Sequence, residues 1–157
     1  MDVTIRKGEE KDLPAVLGLV KELAEFEKAP GQVINTVDKM IKEQKYFDFF
    51  VAELNGEIIA MALYFFAYYT WVGKALYLDD IYVKKQFRGK KVGMKLLKEV
   101  FRVAEKENCS RIRWQVLNWN KDAITFYEKI NAEIDDEWLN CDFDRQGIKL
   151  FLDNFKI

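Results

Sequence analysis

Asn55-Gly56 stands between two apolar runs, residues 49–54 and 57–68, and constrains this chain more than any other feature. A two-residue hairpin that matches strand twist needs positive φ at both central positions, and Asn followed by Gly supplies them at little steric cost. A second turn near Val72-Gly73 leads into residues 74–83, so three consecutive antiparallel strands are predicted. Val92, Leu96, Leu97, Val100, Val103 and Ala104 then recur on one helical face. Residues 111–117 follow as a strand, with Ile112, Trp114 and Val116 apolar. Strand, long helix and strand make a right-handed crossover, so residues 76–83 and 111–117 should lie parallel.

The flanking segments extend this core. Residues 3–6 form a short strand, and Leu13, Val16, Leu17, Val20, Leu23 and Ala24 mark a helix with Pro14 in its first turn. Pro30-Gly31 is a loop, and residues 36–44 are a shorter helix capped by Thr36 or Asn35. Asn120 caps a helix whose inner face is Ile124, Tyr127 and Ile130. From Ala132 the pattern predicts two strands, around Ile134 and over 138–143, then a last apolar piece at 148–155. The order is β-α-α-β-β-β-α-β-α-β-β: a mixed, mostly antiparallel sheet flanked by helices. No repeat or linker interrupts it, so one α/β domain over residues 1–157 is expected.

Composition removes several chemistries. There is no histidine, so acid–base work falls to Asp, Glu, Tyr, Lys, Cys or water, and the Cys/His spacings of zinc sites are missing. No metal is expected. Cys109 and Cys141 make no disulfide framework, and the start of the chain lacks the regions of a signal peptide, which together predict a cytoplasmic protein. No apolar run reaches the eighteen or so residues of a membrane span.

Seven Lys and Arg fall between Lys84 and Lys98, although the whole chain carries a formal charge of only −1. The turn Arg88-Gly89-Lys90-Lys91-Val92-Gly93 brings backbone amides, a helix N-terminus and cations to one point, the parts that hold a diphosphate. Nucleic acid is a poor fit, because aromatics do not alternate with the cations, Phe87 being the single one among them, and the total charge is near zero.

Six pieces then fall in matching order: Lys21-Glu22-Leu23-Ala24-Glu25-Phe26-Glu27, Trp71-Val72-Gly73-Lys74, Tyr77-Leu78-Asp79-Asp80, Phe87-Arg88-Gly89, Asn118-Trp119-Asn120 and Phe126-Tyr127. Through them the chain resembles the GNAT superfamily of acetyl-CoA-dependent N-acetyltransferases, and most of all its diamine/polyamine (spermidine/spermine) and thialysine acetyltransferase branch. The resemblance implies a GNAT-like fold, acetyl-CoA as co-substrate and a homodimer. It implies that the backbone of Ile81, Tyr82 and Val83 runs along the pantetheine arm. Arg88, Gly89, Lys90, Lys91, Val92, Gly93 and Met94 would hold the pyrophosphate, and Asn120 would touch the cofactor.

The resemblance also assigns roles. Tyr127 would return a proton to the departing CoA thiolate, where otherwise it is a core residue. Asp79 stands where relatives carry Glu and would accept the amine proton, directly or through water. Neighbours in a strand face opposite sides, so only one of Asp79 and Asp80 should face the cleft. Phe26, Glu27 and Trp71 match substrate-binding positions, although Glu27 equally suits a solvated helix face.

Two positions depart from the pattern. Beginning at Arg88, the motif Arg/Gln-x-x-Gly-x-Gly/Ala has Lys91 at its first glycine, so either the turn is reshaped or Lys91 points outward beside the phosphates. Tyr69 replaces an acidic residue two before the tryptophan, which leaves a distal ammonium one anchor fewer. The expected reaction is acetyl transfer to a primary amine of a small cationic molecule: a diamine, a polyamine or a thialysine-like amino acid. The alternatives are transfer to a peptide or protein amine, and a non-catalytic acyl-CoA-binding regulator.

Overall fold

The sheet grows outward from the Asn55-Gly56 hairpin, in a computed structural model that describes residues 2–155. Both turn residues adopt left-handed backbone, φ 52° and 82°, as the predicted hairpin requires. They join β2 (Asp48–Leu54) to β3 (Glu57–Tyr69), and β4 (Gly73–Val83) pairs on the far side of β3. β1 (Thr4–Lys7) adds to β2, and β5 (Arg111–Arg113) adds to β4, giving the order β1-β2-β3-β4-β5. The first three pairings are antiparallel and β4–β5 is parallel, as the crossover predicts.

β3 is buried continuously from Ile59 to Tyr64, which marks a strand covered on both faces. Its residues Met61 and Leu63, with Phe49 and Val51 of β2, pack against Leu13, Val16, Leu17 and Leu19 of α1 (Leu13–Phe26) and Met40 of α2 (Val37–Lys42). The alternate residues Ala60, Ala62 and Tyr64 take the opposite face. α3 (Val92–Lys106) packs along β2, β3 and β4 and buries Val92, Leu96, Leu97, Val100 and Ala104. Thr36 caps α2 as predicted, its hydroxyl accepting from the Lys39 N–H at 3.2 Å.

One irregularity interrupts the β3–β4 ladder. Leu63 faces Asp80 and Tyr64 faces Leu78, so Asp79 has no partner across the ladder. This β-bulge bends β4 and resets its alternation. The parallel ladder to β5 ends just before it, at Tyr77–Arg113, which is why β5 has three residues rather than the expected 111–117.

The chain divides into two compact units, one ending at Leu117 and one beginning at Asn118. In the second, α4 (Lys121–Lys129) begins at Asn120, whose side-chain oxygen accepts from the Ala123 N–H at 3.3 Å. The two strands expected around Ile134 and over 138–143 are not formed, and α5 (Arg145–Asn154) takes up most of the last apolar piece. The physical reason is legible afterwards. Glu133, Asp135, Asp136, Glu137, Asp142 and Asp144 crowd this stretch with residues that strands disfavour. Trp138 and Leu139 are adjacent and both largely exposed, so they do not alternate as a strand would. Ile148, Phe151, Leu152 and Phe155 recur at i, i+3, i+4 and i+7, a helical period, and Asp144 caps that helix by accepting from the Gly147 N–H at 2.7 Å.

Candidate active site

α1 ends at Phe26, and its last turns form one wall of a cavity of about 190 Å³. Val20, Leu23, Ala24 and Glu27 line it from the helix side, Ala29, Gln32 and Val33 from the following loop, and Asp80 from β4. The lining is apolar except for one amide and two carboxylates, and it holds no cation. Burial pushes the Asp80 carboxyl up to about 7, helped by the charges of Asp79 and Glu27. Burial also raises the Glu27 carboxyl. Such groups are starved of positive charge, and a ligand ammonium would supply it.

Asp79 is placed differently. It sits on the bulge with its surface area exposed, yet enough protein surrounds it that desolvation raises its carboxyl as well. It does not line the cavity; Asp80 does. Strand parity could not choose between the two, because the extra residue of the bulge falls at Asp79 itself. Asp80 is therefore the pocket residue that sequence reasoning passed over, and the adjacent acid pair was its only signal. Glu27 lines the cavity, with Phe26 beside it in the chain. Trp71 is not gathered there: it is 87% exposed in the β3–β4 turn, and roughly 20 Å of strand separates Gly73 from Asp80.

The basic turn lies beyond the other end of β4. Ile81, Tyr82 and Val83 pair with Ala62, Met61 and Ala60 on one side, and among the described residues no strand pairs with β4 beyond Tyr77 on the other. An open strand edge results, with backbone groups available to a ligand. Arg88 anchors the turn to this strand: its Nε donates to the Val83 carbonyl at 3.0 Å, and its guanidinium lies 5.1 Å from the Phe26 ring and 5.2 Å from the Tyr82 ring. The Tyr82 hydroxyl in turn donates to Glu22 Oε2 at 3.2 Å. Lys90 rests over Phe87, with Nζ 5.5 Å from the ring centroid.

Gly89 has φ 73° and Lys91 φ 62°, so the turn uses two left-handed residues before α3 begins. The lysine adopts this backbone at a cost of about 1–2 kcal/mol. Among the described residues no side chain caps α3. The N–H groups of Val92, Gly93 and Met94 thus stand at a helix N-terminus without intrahelical acceptors, beside Arg88, Lys90 and Lys91. A β-carbon at Gly93 would meet only Val83 Cγ2, at 3.7 Å, so protein packing does not demand glycine there. What glycine leaves open is the approach to the amides. This donor set fits a diphosphate.

Tyr127, in the second unit, is buried, and burial raises its hydroxyl above the usual tyrosine value. It therefore keeps its proton at neutral pH, the state a proton donor needs. Among the described residues no group of three His, Cys, Asp or Glu could hold a metal ion, and no helix is long and apolar enough to cross a membrane.

Residues 18–132 match the Acetyltransferase (GNAT) family, across the boundary between the two units. The chain belongs to this family, and by class it is an acetyl-CoA-dependent N-acetyltransferase. It is 36% identical to thialysine N-epsilon-acetyltransferase of Mus musculus, over 92% of this chain and 94% of that protein. It is 30% identical to spermidine/spermine N(1)-acetyltransferase-like protein 1 of Homo sapiens, over 82% of this chain and 20% of that protein. Among solved structures, an integron cassette protein of V. cholerae superposes with a TM-score of 0.76 at 20% identity, covering 96% of this chain and 98% of that one. An aminoglycoside N-acetyltransferase in complex with CoA gives 0.72 at 18%, covering 92% and 95%.

Proposed function

We propose that this chain transfers the acetyl group of acetyl-CoA to a primary amine of a small cationic acceptor, a diamine, a polyamine or a thialysine-like amino acid. The observation that carries this reading is the cavity between α1 and β4, lined by Glu27 and Asp80 and by no cation. The names of the thialysine and spermidine/spermine relatives support the same acceptor class. Acetyl-CoA supplies the activated acyl group, and the proposed ligands of its diphosphate are the amides of Gly89 to Met94 with their neighbouring cations.

An amine of pKa near 10 arrives protonated and must lose that proton before it attacks. The Asp79–Asp80 pair takes it, directly or through water, acting as one coupled unit. A carboxyl raised to about 7 is a much stronger base than an ordinary aspartate, and it stays ionised at slightly alkaline pH. Glu27 holds the charge of a second ammonium. A backbone amide near Ile81, on the open edge of β4, donates to the thioester carbonyl oxygen as charge develops there. The N–C bond forms and the C–S bond breaks; Tyr127 gives its proton to the departing sulfur, and the second proton shed by the nitrogen restores the phenol through water. One domain over residues 1–157 is part of this reading, supported by the family match running across both units. A homodimer in the cytoplasm is also part of it. The exposed apolar residues Ile148, Phe151, Leu152 and Phe155 of the C-terminal segment support the dimer, and the free thiols Cys109 and Cys141 support the compartment.

Thiol release from acetyl-CoA, measured over diamines, polyamines, thialysine, lysine and peptides, tests the acceptor class. Turnover with small cationic amines is expected, whereas turnover confined to peptides would overturn it. Sedimentation will report the dimer. Tyr127→Phe should slow transfer by about 10²- to 10⁴-fold while acetyl-CoA affinity holds. A full-speed Phe variant would return Tyr127 to the core.

A further inference from the structure

The bulge at Asp79 puts Tyr77 on the same face of the sheet as Asp80. Residues three apart in a regular strand face opposite sides, but these two pair with Phe65 and Leu63, which are two apart on β3. Beyond Tyr77 the face turns from acidic to basic. Tyr77 stacks on Phe65 with ring centroids 5.1 Å apart, and its neighbour across the parallel ladder is Arg113 of β5. Gly73 and Ala75, on the same side of β4, are too small to fill the space above the strand. The Tyr69 ring crosses that space from β3, reaching 5.2 Å from the Arg113 guanidinium carbon and 5.6 Å from that of Arg111.

Neither of these arginines has an acid for a partner. Arg6, Arg88 and Arg102 each donate to a protein oxygen, whereas among the described residues Arg111 and Arg113 form no salt bridge or side-chain hydrogen bond. Contact with a ring face leaves the N–H fork of a guanidinium available in its own plane, and two such forks side by side suit a planar carboxylate. An acid at position 69 would neutralise the pair, but a tyrosine supports it and leaves the charge in place. Tyr77 joins this corner to the acid pair. Burial raises its hydroxyl, Asp79 and Asp80 add to the rise, and Arg113 opposes it, so charges of both signs flank one ring.

We infer that the acceptor is an α-amino acid bearing a second, terminal amine, and that Arg113 and Arg111 hold its carboxylate. This narrows the function proposed above and rests on it. Strand rise and spacing put the Cα atoms of Asp80 and Arg113 roughly 8 Å apart. A terminal nitrogen on a four-atom side chain lies roughly 7–8 Å from the carboxyl carbon of its amino acid. The terminal amine then meets Asp79 and Asp80, the α-ammonium meets Glu27, and the carboxylate meets the arginines, so every charge finds its opposite. A polyamine carries ammonium groups alone, and one that extends past Tyr77 runs into two guanidiniums.

The test measures kcat/KM, by thiol release from acetyl-CoA, for two matched pairs and for spermidine. Thialysine is set against bis(2-aminoethyl) sulfide and lysine against cadaverine, each diamine being the amino acid without its carboxylate. The parent should favour the amino acid of each pair by about tenfold or more, with spermidine the poorest acceptor. Arg113→Gln should cut that preference about tenfold, through KM rather than kcat, while Arg113→Lys keeps part of it. Diamines or spermidine turned over by the parent as well as the amino acids would overturn the assignment. So would an Arg113→Gln variant that slows both members of a pair alike, which marks a structural role. In either case transfer to small amines stands. A parent that acetylates none of the five sinks the acceptor reading itself.

Discussion

Helix α1 has a carboxylate at each end, and the fold treats them in opposite ways. At its start Asp12 is almost completely buried, accepts from Arg6 Nη1 at 2.6 Å and Nη2 at 2.8 Å, and takes the Glu9 N–H at 2.9 Å. The Arg6 guanidinium holds this carboxyl below the usual aspartate value against the opposing effect of burial. Glu53 Oε2 accepts from Arg6 Nε at 3.0 Å, so one guanidinium within the fold serves both carboxylates. At the far end Glu27 faces Asp80 across the cavity, with no cation in the lining, and both carboxyls are pushed up. The dipole of α1 favours the anion at its start and opposes the one at its end. Identical chemical groups are therefore neutralised where partners are built in and left as raised carboxyls where they are not, and the proposed function gives the second kind to binding. The basic turn repeats the second pattern with the sign reversed, since Lys91 opposes the dipole of α3.

The largest expected effect separates the two ends by function. Asp80→Asn should lower kcat/KM with the best amine by about 10²-fold or more while acetyl-CoA binding by calorimetry is kept. Asp79→Asn should also lower it, in part by removing the neighbouring charge that strengthens Asp80 as a base. Full activity of both variants across pH 6 to 9 would place the base elsewhere.

The second effect is on stability at the other end. Asp12→Ala leaves Arg6 part-buried without its bidentate partner and should cost about 2–3 kcal/mol, read from urea unfolding at pH 7. A loss of only a few tenths would make the two ends alike and break the contrast.

The third effect is a pH profile with two limbs of different origin. Asp12 has a depressed folded value, so its stabilisation is present above the unfolded aspartate value near 4 and is lost as pH falls through the folded value. Asp80 is raised to about 7, so its destabilisation is absent below pH 4, grows between pH 4 and 7, and is complete above. Stability should therefore be greatest at mildly acid pH. Unfolding midpoints that rise steadily from pH 4 to 8 would contradict the raised carboxyl.

The smallest effect follows from the same sign. Asp80→Asn should stabilise the ligand-free protein at pH 8 by about 1–2 kcal/mol and leave it unchanged at pH 4, a figure kept below the full linkage value because Asp80 is only half-buried. Equal stability of parent and variant at pH 8 would mean that water reaches the carboxylate freely.

Much of this protein was decided by the order of its residues alone. The Asn55-Gly56 hairpin, the three antiparallel strands, the apolar faces of α1 and α3, and the caps at Thr36 and Asn120 are local devices, each enforced by neighbours within a few positions. The turn at Arg88–Gly93 was legible for the same reason, since a helix start, a glycine and a run of cations are contiguous. Tertiary structure decided the rest. The bulge at Asp79 arises where β3 and β4 must bend together, so it chose Asp80 over Asp79 for the cavity and ended β5 at Arg113. Packing likewise settled which acids would be paired, because Arg6 joins Asp12 and Glu53 only once β1, β2 and α1 meet, while Glu27 and Asp80 line one cavity without a cation. Turns and helix faces depend on sequence neighbours, whereas the state of a carboxylate depends on which distant residues fold around it.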